Sequence, residues 1–380
     1  MTGRELLAAS GVLFPDEQGR VLVARVSYRT KHPIEVPGGG WDASDPSPRY
    51  TAVREIQEEL GITPVLRELA CLDWSRDRHR PPIAAFLYWA DPLTEAQRAT
   101  IRLEAEELDS LVYLTPEQLL SALPPLLSRR VGSCALAPRS AAPLELADGL
   151  PAGHTALHLR AWPAPAYTGP AGIAALLPPA GDRPAPPPPM DRETYFASRP
   201  RIRAKARMLF TDDRGRVLLV RLTPWNGQTA WVLPGGSIEA DRELPRDAAR
   251  RETLEELGWH REPGRLLAID WVPDVGGELP HTVLVPGSGG ELPRTVLVFD
   301  GGTVTGEQLS TIRLQEEEIA EWGLFTPEEA KRLLLPPAAQ RLAACLAVRD
   351  LPPGAGPAEL LNGAPATGSP HVARPDGSHG

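Results

Sequence analysis

Two stretches of the chain carry residue types that could do chemistry: Arg251-Glu-Thr-Leu-Glu-Glu-Leu-Gly258 and, earlier, Arg54-Glu-Ile-Gln-Glu-Glu-Leu-Gly61. On a helix Glu252, Glu255 and Glu256 stand at i, i+3 and i+4, so the 3.6-residue period puts three carboxylates on one face. Glu55, Glu58 and Glu59 repeat that arrangement. Three like charges so placed repel one another. A hard, oxygen-seeking cation such as Mg2+ relieves the repulsion, and carboxylates together with substrate phosphates are how that ion is usually held.

The neighbouring residues are those that such a face needs in order to be positioned. Leu254 and Leu257 in the later stretch, and Ile56 and Leu60 in the earlier one, are expected to form the apolar side that docks on a sheet. Gly258 and Gly61 follow directly, where a left-handed helix cap favours a residue without a β-carbon. Upstream, Trp231-Val-Leu-Pro-Gly-Gly236 and Ile34-Glu-Val-Pro-Gly-Gly39 read as a strand running into a glycine turn. The pairs Gly38-Gly39 and Gly235-Gly236 let the backbone approach a phosphate or a metal closely, which makes them candidate substrate-binding residues.

The two stretches belong to a longer duplication. Pro37 and Pro234, Arg54 and Arg251, and Asp73-Trp74 and Asp270-Trp271 all differ by 197 in number. Further on, Ile101 and Ile312, Thr115 and Thr326, and Cys134 and Cys345 differ by 211. Each copy opens on a hairpin pattern, with turns at Pro15–Gly19 and Asp212–Gly215. Two copies of one domain in tandem is the economical reading. The change of offset has a local source, because Gly276-Gly-Glu-Leu-Pro-His-Thr-Val-Leu-Val285 recurs as Gly289-Gly-Glu-Leu-Pro-Arg-Thr-Val-Leu-Val298. Only one of these two segments can fill the inherited slot in a sheet; Thr295–Phe299 is expected to fill it, matching Phe86–Trp89, with the earlier segment an added hairpin arm. The expected boundaries are 1–150 for the first domain, 151–192 for a stiff Pro- and Ala-rich spacer, 193–364 for the second domain and 365–380 for a disordered tail. His154 and His158 in the spacer have no carboxylate or cysteine company and read as incidental.

Composition excludes several classes. At 380 residues the chain is long enough for two domains with full cores. A formal net charge of −9 without a basic stripe argues against nucleic acid as the main partner. The arginines Arg199, Arg201, Arg203 and Arg207 read as a solvated strand edge. Cys71, Cys134 and Cys345 form neither an even framework nor a CxxC pair, so they are expected to pack as small apolar residues. The N-terminus lacks a signal-peptide layout, and no run approaches the roughly 18 apolar residues of a membrane span, so the expected setting is cytoplasmic.

The helix and the glycine turn together resemble the Nudix box: Gly, five residues, Glu, seven residues, then Arg-Glu-apolar-any-Glu-Glu-any-Gly-apolar. The resemblance implies an α/β fold of two α/β/α sandwich domains, each with a mixed β-sheet and a catalytic helix after the Gly-rich turn. It also implies hydrolysis of a nucleoside diphosphate linked to another moiety, with Mg2+ or Mn2+ as cofactor. Carried onto this chain, the metal ligands are Glu252, Glu255 and Glu256 in copy 2 and Glu55, Glu58 and Glu59 in copy 1. Arg251 and Arg54 are expected to pin the helix to the glycine loop. Glu318 and Glu107, in acidic loops at matching places, are the candidate general bases, with Glu317 and Glu106 beside them.

The boxes depart from the pattern in complementary ways. Copy 1 has Gly40 at the box glycine but Pro46 at the first glutamate; copy 2 has Ser237 at the glycine and Glu243 at the glutamate. Pro46 puts the geometry of the first loop in question, so copy 2 is the expected seat of activity. The substrate class stays open among nucleoside triphosphates, dinucleotides and nucleotide sugars. Trp74, Trp271 and Trp225 read as core residues rather than base-stacking ones. The alternative is a nucleotide-sensing protein in which one or both copies no longer catalyse. For partners, the sequence implies a small nucleotide and no membrane, with the two domains packing on each other or the chain dimerising.

Overall fold

The structure is a computed structural model that describes residues 3–27, 33–76, 80–104, 106–139, 142–152, 168–177, 191–224, 229–273 and 292–366. The chain divides into two compact units, Met1–Ile202 and Arg203–Gly380. Most of the spacer, residues 367–380 of the tail, Trp225, and the first segment of the 276–298 repeat lie outside the described residues.

In the first unit β1 (Glu5–Leu13) turns into β2 (Val21–Val26), followed by β3 (Ile34–Glu35), β4 (Gly38–Gly40), α1 (Pro48–Leu60), β5 (Leu66–Ser75) and β6 (Ile83–Ala90). Then come α2 (Glu95–Thr100), β7 (Leu108–Leu114), α3 (Pro116–Ala122), α4 (Pro125–Leu136), β8 (Leu144–Ala147) and β9 (Leu150–Pro151). The main sheet is mixed. β1 runs parallel to β6 and antiparallel to β4, β6 pairs antiparallel with β5, and β5 lies parallel to β8. A smaller antiparallel sheet has the order β3-β2-β7. Helix α1 packs on β1, β4 and β6, while α4 packs on β5, β8 and β9.

A short helix α5 (Arg192–Ser198) precedes the second unit, which repeats the first. Its elements are β10 (Ile202–Asp212), β11 (Val217–Leu222), β12 (Trp231–Val232), β13 (Gly235–Ser237), α6 (Pro245–Leu257), β14 (Leu266–Val272) and β15 (Arg294–Val304). They continue as α7 (Gly306–Leu309), β16 (Ile319–Phe325), α8 (Pro327–Leu333), α9 (Pro336–Arg349), β17 (Ala358–Leu361) and β18 (Ala364–Pro365). β15 fills the slot beside β10, in parallel, so the second segment of the local repeat holds the inherited position. The pairing also matches copy 1: Phe86 lies opposite Ser10, and Leu297 lies opposite Ala206.

Local chemistry explains why the same elements form twice. The Asp16 and Asp212 side chains accept backbone N–H groups across the first hairpin turn, which Gly19 and Gly215 close at φ +75. The last hairpins turn on Asp148-Gly149 and Asn362-Gly363, all at positive φ, the geometry of a two-residue hairpin turn. Asp73 and Asp270, buried, tie this hairpin to the long helix. Each accepts a glycine N–H, from Gly149 or Gly363, and a guanidinium from Arg130 or Arg341. Trp74 and Trp271 are buried, and so are the three free cysteines.

One expectation about the helices needs correcting. Ile56, Leu60 and Leu257 are fully buried, but Leu254 is 38% exposed. The inward side of α6 is Ala249, Thr253 and Leu257, spaced by four residues, and Leu254 falls one position beyond that stripe.

Candidate functional site

Each candidate site is built where the glycine turn meets the helix that follows it. Helix α1 starts on Ser47, whose side chain accepts the Tyr50 N–H, with Pro48 at its first position, and it stops at Gly61, φ +69. Helix α6 starts with Pro245 and stops at Gly258, φ +73. Both helices therefore present the same thirteen-residue length from a fixed start to a fixed stop.

Arg251 organises the second site. Its Nε and Nη2 donate to both carboxylate oxygens of Glu243, at 3.0 and 2.8 Å, and Nη2 also donates to the Ser237 carbonyl at 3.1 Å. Nη1 donates to Glu252 at 3.0 Å and to Glu255 at 2.8 Å. One guanidinium thus joins the loop, the turn and two helix carboxylates. Arg54 does the same in copy 1, reaching Glu55 at 2.9 Å, Glu58 at 2.7 Å and the Gly40 carbonyl at 3.2 Å.

Copy 1 completes the pattern with a residue that sequence reasoning passed over. Asp45, one position before Pro46, takes the place of Glu243. Arg54 Nε lies 2.9 Å from Asp45 Oδ1, and Arg54 Nη2 lies 2.9 Å from Oδ2. The Asp45 side chain is fully buried and also accepts the Thr51 hydroxyl at 2.9 Å and the Asp42 N–H at 3.2 Å. Its carbonyl accepts the Trp41 indole N–H. The signal was present as an acid adjacent to the box position, but strict counting from Arg54 landed on Pro46.

The glycines seat the carboxylates. Gly38 and Gly235 stand at φ +137 and +125, a region that disfavours any side chain, and a β-carbon on either would collide with the backbone of the neighbouring strand. Their N–H groups donate to Glu59 at 2.9 Å and to Glu256 at 2.7 Å. Gly39 and Gly236 leave room for a side chain opposite them, since a β-carbon there would run into the carboxylates of Glu55 and Glu252. Glu59 and Glu256 are buried, whereas Glu58 and Glu255 stand at the exposed rim.

Burial dominates the electrostatics. It pushes the Glu59 carboxyl up to about 8, against the Gly38 hydrogen bond and with help from the charges of Glu55 and Glu107. Glu256 also rises to about 8 by burial, opposed by Arg207 and the Gly235 N–H and reinforced by Glu252 and Glu318. Glu55 and Glu252 are raised by burial and held back by Arg54 and Arg251. Glu107 and Glu318 are thus within electrostatic reach of the helix carboxylates. Both are exposed, on the loops before β7 and β16.

The donors are oxygen only, from carboxylates beside a glycine turn, which suits Mg2+ or Mn2+. Among the described residues no three acidic, His or Cys side chains converge on one point as they stand. Arg251 and Arg54 hold the rim carboxylates, and the turn amides hold the buried ones. Among the described residues no helix is long and apolar enough to cross a membrane.

Comparison with known proteins gives the class. The NUDIX domain matches twice, over residues 5–131 and 201–346. The chain belongs to the Nudix family and carries its domain in tandem. Over 61 residues it is 43% identical to an RNA pyrophosphohydrolase of Pseudomonas fluorescens strain SBW25, covering 16% of this chain and 36% of that protein. The chain therefore spans about a third of the length of the curated relatives it matches. Among solved structures it is similar to the MutT protein from Methanosarcina mazei Go1, at 22% identity and a TM-score of 0.29, covering 38% of this chain and 91% of that one. It is also similar to a C. elegans Ap4A hydrolase, at 18% identity and a TM-score of 0.29, covering 38% of this chain and 95% of that one.

Proposed function

We propose that the chain is a metal-dependent pyrophosphohydrolase with two sites, acting on a nucleoside diphosphate linked to another moiety. The observation that carries this reading is the duplicated arginine: Arg54 and Arg251 each bind a loop acid, a turn carbonyl and two helix carboxylates in the same way. In this reading Glu55, Glu58 and Glu59, and Glu252, Glu255 and Glu256, hold Mg2+ or Mn2+. The bound cation would supply charge neutralisation on the diphosphate and acidify the attacking water.

The chain's own groups do the rest. Arg54 and Arg251 orient the carboxylates, while Gly38-Gly39 and Gly235-Gly236 bring backbone close to the substrate. Glu107 and Glu318, exposed at the rim and in electrostatic reach of the buried carboxylates, are placed to accept a proton from water. Asp45 supports the reading that copy 1 turns over alongside copy 2, because the loop interaction missing at Pro46 is supplied one residue earlier.

Turnover of the purified chain tests this, read as release of nucleotide, pyrophosphate or phosphate from nucleoside di- and triphosphates, dinucleotides, nucleotide sugars and an RNA with a 5′ phosphoanhydride, with and without Mg2+. Metal-dependent turnover, lost when both Glu58-Glu59 and Glu255-Glu256 are changed to Gln, is the expected result. Nucleotide binding without turnover on any member, with Mg2+ and Mn2+ both tried, would favour a sensor.

A further inference from the structure

The two sites differ at one buried corner. In copy 1 Gly11 on β1 lies opposite Leu87 on β6; in copy 2 the same register pair is Arg207 on β10 and Val298 on β15. Each first member also faces the first turn glycine, with Gly11 paired to Gly38 and Arg207 to Gly235. A β-carbon on Gly11 would lie 3.2 Å from the Leu87 side chain and 3.6 Å from that of Val36, so copy 1 has apolar atoms where a longer side chain would leave. Copy 2 has Val298 and Leu233 at the matching places, and Arg207 stands where copy 1 has the glycine.

Contrary to the solvated edge expected of this arginine run, the Arg207 guanidinium turns in under the glycine turn, held by the backbone carbonyls there. It donates to the Leu233 carbonyl at 2.7 Å and to the Gly235 carbonyl. The opposite end of the same Gly235 residue donates its N–H to Glu256, and the neighbouring Gly236 packs on Glu252. A permanent positive charge is therefore joined through Gly235 to the inner carboxylate Glu256 of copy 2, with a glycine at the matching position of copy 1. Arg207 acts on both Glu252 and Glu256, whereas the largest charge effects on Glu59 come from the acids Glu55, Glu107 and Glu35.

We infer that Arg207 is a positioning residue that makes copy 2 the weaker divalent-cation site of the two, its fixed charge replacing part of the neutralisation that copy 1 takes from metal. This rests on the proposed metal-dependent reading of the same carboxylates. A fixed cation repels a divalent one at short range in a medium of low effective dielectric, so the difference between the copies should be about tenfold or more in affinity.

The test is Mn2+ titration of the full chain, following free Mn2+ by electron paramagnetic resonance, with thermal melting to establish that each variant folds. Glu58→Gln with Glu59→Gln leaves copy 2 to be read, and Glu255→Gln with Glu256→Gln leaves copy 1. Copy 2 is expected to bind about tenfold more weakly. Arg207→Gly with Val298→Leu, which installs the copy 1 pair, should tighten copy 2 about tenfold, as should Arg207→Met, which keeps side-chain volume. Arg207→Lys, which keeps the charge, should leave it within about twofold. Equal affinities in the two copies, or a copy 2 affinity unchanged or weakened in the folded Arg207→Met variant, would overturn the inference while leaving the metal-dependent reading in place. An intact chain that binds no Mn2+, or binds it independently of both glutamate pairs, would overturn that reading and the inference with it.

Discussion

Asp45 carries more of copy 1 than its length suggests. Its carboxylate is out of contact with solvent and accepts from Arg54, Thr51 and the Asp42 amide, so removing it takes one shared acceptor from three donors. Glu243 does the same work in copy 2 from a slightly more open position, 13% exposed against 0% for Asp45. Asp45→Ala should therefore destabilise its unit by about 1–3 kcal/mol, the cost of losing a buried hydrogen-bonding group, while Arg54, 24% exposed, keeps Glu55 and Glu58. Glu243→Ala should cost less. Calorimetry of the two variants would decide it, and an Asp45→Ala melting profile matching the intact chain would mean that Arg54 finds another partner. Turnover assigned to copy 1 should fall in parallel, because the guanidinium that holds Glu55 and Glu58 is no longer anchored to the loop.

At the scale of the turn and helix, the buried glutamates make a prediction about pH. Glu59 and Glu256 sit at about 8 in the folded chain against an ordinary 4.5 in the unfolded one. Between those values the folded state holds protons that the unfolded state has released, so stability falls as pH rises. The contribution is fully present below about 4.5 and is lost as pH passes through 8. In chelator, the melting temperature should drop from pH 6 to pH 9, and Glu59→Gln with Glu256→Gln should flatten the slope. Mg2+ at pH 9 should restore stability by favouring the ionised carboxylates. A metal-free melting temperature that climbs over this window would contradict the burial argument. The turn and helix were the most legible part of the chain, because Arg, three Glu and the capping Gly have fixed helical spacing. What spacing could not show was depth. Counting placed Glu252, Glu255 and Glu256 on one face as equals, but the sheet beneath buries Glu252 and Glu256 and leaves Glu255 at the rim. Leu254 was misread for the same reason, because Thr253 rather than the larger leucine points at the sheet. Asp45 and Arg207 act through pairings set by neighbouring strands and loops, which no linear count displays.

For the whole molecule, the question is whether duplication gives two working sites or one site and a relic. A copy released from catalysis has no reason to keep three glutamates crowded on one helix face, since like charges there cost stability without a cation. Both copies keep them, each with its arginine, its seating glycines and a loop acid, and copy 1 reaches the last of these by a different residue. Each arginine's partners lie within its own unit, so each site should turn over without the other. Glu58→Gln with Glu59→Gln should leave the copy 2 rate, Glu255→Gln with Glu256→Gln should leave the copy 1 rate, and at saturating Mg2+ the two residual rates should sum to that of the intact chain. Steady-state rates on a substrate found in the turnover panel check this directly. Complete loss from one pair alone would assign catalysis to that copy and binding to the other. Two residual rates summing to well below the intact rate would show instead that the sites depend on each other, and that the tandem arrangement itself contributes to turnover.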